Sequence, residues 1–189
     1  NALYLVKQER GLKGQVREDL GVALEEADRM VELIARLRET YRPTTHEDFR
    51  PQSLNALVEE VQKLIGTHLR RNNVEFRFEP DPALPPVLGI RDQLKQVIIN
   101  LGLNAVESMP SGGHLMLRTE YRPETGEARL YIADTGVGIE AAALPNVFDP
   151  FYTTKESGTG LGLAITYEII QHHLGQIEVT SEPRHGTTI

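Results

Sequence analysis

Cysteine is absent from the 189 residues, which excludes disulfides and thiolate metal sites and fits a reducing compartment. Also missing is any apolar run near the roughly 18–20 residues that a bilayer-spanning helix needs, so membrane contact is not expected. The first ten residues, NALYLVKQER, lack the basic start and cleavage site of a signal peptide and lack an initiator methionine. The sequence therefore reads as a fragment, with any membrane-bound or sensory portion outside it. Basic residues are outnumbered, 20 Lys and Arg against 27 Asp and Glu, for a net charge of −7. A general nucleic-acid surface is not expected from that balance, although a local cationic pocket for one small anion is compatible with it. Internal repeats and low-complexity segments are absent.

What is present is enough apolar material, 40% of residues, for one domain plus a smaller element. Val16, Leu20, Ala23, Ala27, Met30, Ile34, Leu37 and Tyr41 follow an alternating four–three spacing, a heptad seam on a helix from about Gln15 to Arg42 that Pro43 stops. A turn at Arg10–Gly14 separates it from a helix over Asn1–Glu9. This hairpin over 1–43 has a seam too narrow to be buried alone, so a partner hairpin is expected. Residues 44–53 read as a polar linker.

Beyond the linker, helices and strands alternate. Leu54, Leu57, Val58, Val61, Leu64 and Ile65 carry helical spacing, and VEFRFE at Val74–Glu79 alternates strictly. The rigid loop PDPALPP precedes a helix over Gln96–Met109. HLMLRTEY and ARLYIAD flank a hairpin turn at Arg122–Gly126, a second apolar helix spans Leu161–Leu174, and QIEVTS and GTTI close the chain around EPRHG. The order predicts an α+β fold, an α/β sandwich whose mixed, mostly antiparallel sheet is covered by helices on one face.

Three stretches carry chemistry. In QVIINLGLNAVESMP, Gln96, Asn100 and Asn104 recur every four residues on one face of an otherwise apolar helix. Aligned amides need something polar to face, and neutral oxygens one turn apart suit Mg²⁺; a structural amide network is the other reading. In DTGVGI, Asp134 ends a strand and Gly136 and Gly138 let a flat ligand approach the backbone, with Asp able to accept from an exocyclic amine. In NVFDPFYTTKESGTGLGLAI, Lys155 precedes Gly158, Gly160 and Gly162 at a helix start, a combination suited to phosphate. The lysine stands before the glycines and no G-K-[ST] triplet occurs, so this is not a Walker A loop.

Together these motifs resemble the ATP-binding domain of sensor histidine kinases, the GHKL or Bergerat type shared with gyrase, the Hsp90 chaperones and MutL. NLGLNAVESM is similar to the family's N box, DTGVGI to its G1 box, VFDPFYTTK to its F box and GTGLGLAI to its G2 box. The resemblance covers about Leu54–Ile189, and the heptad hairpin is similar to the family's dimerisation domain.

The resemblance implies ATP and Mg²⁺ as cofactors. Asn104 and Asn100 are the implied metal-facing residues, and Asp134 the adenine reader. Gly136 and Gly138 would shape the adenine pocket, and Thr187 would lie where it closes. Lys155, Gly158, Thr159, Gly160, Leu161 and Gly162 would form a short lid over the phosphates. Asn100 stands where gyrase-type ATPases place a water-activating glutamate, and an amide cannot act as a general base. Asn100 and Lys155 are therefore expected to act in phosphoryl transfer to a protein histidine and onward to the Asp of a response-regulator receiver domain. Two departures matter. Glu107 and Ser108 stand where many relatives carry Lys and Tyr, which leaves the phosphates leaning on Lys155, with Lys95 as a second cation. None of His46, His68, His114, His172, His173 and His185 occurs in the family's His-Glu-x-x-Asn-Pro-Leu acceptor context. The expectation is a cytoplasmic kinase fragment, dimeric through its hairpin, that binds ATP without phosphorylating itself. A GHKL-type ATPase clamp and a nucleotide-binding scaffold without kinase activity are the competing readings.

Overall fold

The computed structural model describes residues 48–155 and 158–189. The hairpin expected over 1–43 and most of the linker lie outside the described residues. Helix α1, Leu54–Arg71, begins where Ser53 accepts a hydrogen bond from the Ala56 N–H at 3.3 Å, and ends where the Asn72 side chain donates to the His68 carbonyl at 2.9 Å. Leu54, Leu57, Val58, Val61, Ile65 and Leu69 form its buried stripe. Leu64, one residue off that stripe, is 57% exposed, so it is not a core position as its apolar character implied.

Strand β1, Arg50–Gln52, pairs antiparallel with β3, Val87–Gly89. The expected linker thus already contains a strand. It carries Pro51, which a short edge strand tolerates because its missing N–H faces no ladder partner. The main sheet has five strands in the order β2–β4–β5–β7–β6: Val74–Glu79, Gly113–Arg122, Glu127–Asp134, Gly186–Thr188 and Thr180–Glu182. β2 and β4 are parallel and joined through helix α2, Arg91–Glu107, while the other pairs are antiparallel. The β4–β5 hairpin pairs Leu115 with Asp134 through Arg122 with Glu127, closed where the Gly126 N–H reaches the Arg122 carbonyl at 2.8 Å. This is the expected mixed, mostly antiparallel sheet with three helices.

α2 is the central helix, touching α1 on one side and α3, Gly162–His172, on the other. Leu94, Val97, Ile98, Leu101, Ala105 and Val106 bury its inner face, opposite Leu115, Leu117 and Ile132 of the sheet. It starts five residues before the expected Gln96, because its cap carries no side-chain signal: the Ile90 N–H is satisfied by His173 Nε2 at 3.0 Å, 83 residues away. α3 stops two residues early in a Schellman arrangement, with Leu174 at φ 56 and the Gly175 N–H on the Ile170 carbonyl at 2.9 Å.

Candidate functional site

The outer face of α2 gathers the site. At about 100° per residue, Asn100, Asn104 and Ser108 step along one side of the helix, with Glu107 beside them. Asn100 donates from Nδ2 to the Gly162 carbonyl at 3.3 Å, which ties α2 to the first residue of α3. That leaves its Oδ1 unpaired among the described residues. The half-buried Asn104 side chain makes no hydrogen bond among the described residues, and its Nδ2 lies 3.7 Å from where a Cβ on Gly162 would sit. Lys95 is about 140° around the helix from Asn100 and about 180° from Asn104, so it is off this face and does not serve as a second cation.

Asp134 ends β5 directly under the C-terminal end of α2. Its Oδ1 accepts from the Gly136 N–H at 2.8 Å and sits 3.0 Å from Ser108 Oγ, which also reaches the Ala105 carbonyl at 2.7 Å. One hydroxyl proton cannot serve both oxygens at once, so Ser108 is a shared contact and its donation to Asp134 is partial. Burial pushes the Asp134 carboxyl above its ordinary range, opposed by the Gly136 N–H, Ser108, the Thr187 backbone and the Lys155 charge. Gly136 has no room for a side chain: a Cβ would meet the Ser108 side chain and come 2.6 Å from the Ser108 carbonyl. Gly138, at φ 69, lies against the Glu182 carbonyl, and the Arg184 N–H donates to the Val137 carbonyl at 2.8 Å. Thr187 is buried, registers directly with Asp134, and exchanges a 2.9 Å contact with Ser181 Oγ.

On the other side of Asn104 stand the residues expected to form a lid. Lys155 Nζ contacts Glu107 Oε2 at 2.6 Å, an ion pair between loop and α2 that spacing could not reveal. The Lys155 N–H donates to Thr153 Oγ1 at 3.1 Å, and the Gly158 N–H donates to the Lys155 carbonyl at 3.2 Å. Gly160, at φ 66, receives the Phe151 N–H on its carbonyl at 3.0 Å, so the aromatic loop and the glycine turn are backed onto one another. Phe148 leans on Tyr167 of α3 with ring centroids 5.6 Å apart. Thr159 is exposed, with Oγ1 accepting from the Leu161 N–H at 3.4 Å, and Leu161 is buried at the cap of α3. That cap has no side-chain hydrogen bond and no acidic residue in its first turn, so no side chain caps the first N–H groups of α3.

Sequence reasoning missed Ser108 and Ser181 as parts of the site. Ser108 continues the four-residue step from Asn104, a signal that was available. Ser181 Oγ meets the Ile139 N–H, the Gly186 carbonyl and Thr187, partners that only the fold brings together. Among the described residues no group of three or more His, Cys, Asp or Glu is arranged to hold a metal. A divalent ion here would rest on the free amide oxygens of Asn100 and Asn104, water and the ligand's phosphates, which suits Mg²⁺. A separate apolar cavity of about 490 Å³, lined by Leu94, Val97, Leu101, Leu130 and Ile132, lies behind the opposite face of α2 and includes none of these site residues.

Residues 89–189 match the family described as histidine kinase-, DNA gyrase B- and HSP90-like ATPase. The signal transduction histidine-protein kinase AtoS of Escherichia coli strain K12 is 41% identical over 172 residues, which cover 91% of this chain and 28% of that protein. The solved catalytic domain of histidine kinase ThkA, in a nucleotide-free form, aligns with TM-score 0.66 at 33% identity, covering 74% of this chain and 91% of that one. ThkA in complex with the response regulator protein TrrA aligns with TM-score 0.70 over 98% of this chain and 53% of that one; at 24% identity this likeness is one of fold. The chain spans between 28% and 43% of the length of the first three curated relatives. With its three motif-bearing turns assembled around one helix and its matched region running from β3 to the last residue, the chain belongs to the histidine kinase-, DNA gyrase B- and HSP90-like ATPase family and carries the ATP-binding catalytic domain of a sensor histidine kinase.

Proposed function

We propose that residues 54–189 bind Mg·ATP in the cleft beside the outer face of α2 and transfer its γ-phosphoryl group to a histidine on a dimerisation helix, for relay to an Asp of a response-regulator receiver domain. The observation that carries this reading is that Asn100, Asn104 and Ser108, on one helix face, meet both the Asp134 carboxylate and the glycine turn at the start of α3. In this reading Asp134 accepts a hydrogen bond from the adenine amine, and the Gly136 and Gly138 turn lets the base lie against backbone. Gly158–Gly162 and the uncapped first turn of α3 offer N–H groups to the phosphates, and Lys155 adds a mobile cation. Mg²⁺, when bound, neutralises charge on the phosphates, and Asn104 and Asn100 offer it neutral oxygens. Asn100 cannot abstract a proton, so nothing at that position activates water, which favours transfer over hydrolysis.

The same reading makes the 1–43 segment the dimerisation hairpin, places the protein in the cytoplasm, and pairs it with a response regulator as ThkA pairs with TrrA. No helix among the described residues is long and apolar enough to cross a membrane. Because none of its six histidines has the acceptor context, the 189-residue chain is proposed to bind ATP without labelling itself. Incubation with γ-labelled ATP and Mg²⁺ tests this: bound nucleotide with no acid-labile label on the chain is expected. Label retained as phosphohistidine overturns the acceptor argument, and rapid steady release of phosphate favours the hydrolysing-clamp alternative.

A further inference from the structure

Lys155 is the one basic side chain among the proposed site residues, and it is already engaged. Its ammonium sits 2.6 Å from Glu107 Oε2, on the turn of α2 that follows Asn104. The lysine backbone is fixed at both ends by Thr153 Oγ1 and the Gly158 N–H, so changing partners requires only a swing of the side chain. The pair is half in solvent, with side chains 40% and 59% exposed, which makes it weak and easily exchanged for a doubly charged phosphate. The charge of Lys155 is also felt at Asp134, so the ammonium lies within electrostatic reach of both ends of the proposed nucleotide site.

We propose that Glu107 is a positioning residue that sets nucleotide affinity: its carboxylate holds Lys155 when no nucleotide is bound and competes with the phosphates for it. This rests on the nucleotide-binding reading given above. Glu107 stands where the resemblance leads one to expect a lysine, so one position replaces a second phosphate-binding cation with an anion that restrains the first. Affinity for phosphate-bearing ligands is thereby held down, while affinity for the nucleoside is not.

The test uses the whole 189-residue chain with adenosine, ADP and ATP as probes in the presence of Mg²⁺. Glu107→Gln should tighten ATP and ADP about two- to fivefold at low salt, the range open to an exposed ion pair, and leave adenosine unchanged. The gain should shrink as ionic strength rises and vanish in a Lys155→Met background. Without nucleotide, the ¹⁵Nζ signal of Lys155 should show slower proton exchange in the unsubstituted chain than in Glu107→Gln. Unchanged or weaker ATP binding by Glu107→Gln overturns the proposal, as does equal tightening of adenosine, a gain that survives Lys155→Met, or an identical Lys155 signal in the two proteins. Failure of the unsubstituted chain to bind either adenosine or ATP overturns instead the nucleotide reading on which the proposal rests, and the lysine signal still decides the ion pair.

Discussion

Asp134→Asn separates recognition from folding at the point where the site is most specific. The carboxylate accepts the Gly136 N–H at 2.8 Å, and an asparagine oxygen can keep that bond. The same oxygen sits 3.0 Å from Ser108 Oγ, so an asparagine Oδ1 in its place keeps both partners and the new amide nitrogen takes the position of Oδ2. What is lost is a charged acceptor for the adenine amine. Hydrogen bonds to charged groups contribute about 1.5–3 kcal/mol, which corresponds to roughly a 10- to 150-fold loss of ATP affinity. Stability moves the other way or not at all, because burial already disfavours the ionised carboxylate and an amide carries no such cost. The substitution should also erode discrimination against GTP, since guanine presents a carbonyl where adenine presents an amine and the new amide can donate to it. Calorimetric titration of Mg·ATP and Mg·GTP into both proteins, with melting curves as a folding control, measures all three effects. An ATP dissociation constant within twofold of the unsubstituted chain, in a folded protein, refutes the assignment of Asp134 as the adenine reader.

The raised carboxyl of Asp134 gives a pH prediction. Ionised Asp134 costs the fold stability that is regained as pH falls through its raised pKa, whereas adenine affinity needs the ionised form and is lost over the same interval. ATP titrations at falling pH should show that loss, shifted to higher pH by Ser108→Ala, which removes a hydrogen bond that lowers the pKa; an unshifted profile refutes the role of Ser108. Burial holds His173 below its ordinary value of 6.5, and its Nε2 must stay unprotonated to accept the Ile90 N–H. Its contribution to stability is therefore full above the ordinary value and lost as pH falls below it, and His173→Gln should flatten that part of the melting-temperature profile. Gly136→Ala should cost about 1–3 kcal/mol through overpacking, and Ser108→Gly should not rescue it, because the Ser108 carbonyl would remain 2.6 Å from the new Cβ. Asn104→Ala should weaken ATP in Mg²⁺ far more than adenosine, and equal weakening would detach Asn104 from the metal and phosphates.

Much of this was legible because the site is built from local signals. The four-residue step from Asn100 to Asn104, the strand-ending Asp134 with its glycines, and the glycines ahead of α3 are each contained within one turn or one loop. The β4–β5 hairpin announced itself through the two strand-like runs HLMLRTEY and ARLYIAD on either side of the turn at Arg122–Gly126. Contacts joining distant residues were not legible. The start of α2 depends on His173, and β1 and β3 are three residues each, too short for alternation to show. The Glu107–Lys155 pair joins residues 48 apart, so Glu107 read only as a departure from the family pattern. Ser181 acts through partners that the β6–β7 turn brings within reach. Lys95 was misplaced because proximity in sequence to Gln96 was taken for proximity on the helix face.

Titration of Mg·ATP into the ¹⁵N-labelled chain, followed residue by residue, tests the central claim most directly. The account predicts saturable one-to-one binding, with the largest shifts at Asn100, Asn104, Gly136, Gly138 and Gly158–Gly162 and little change at Leu94, Leu130 or Ile132. No saturable binding, or shifts gathered around the apolar cavity behind α2, would contradict it.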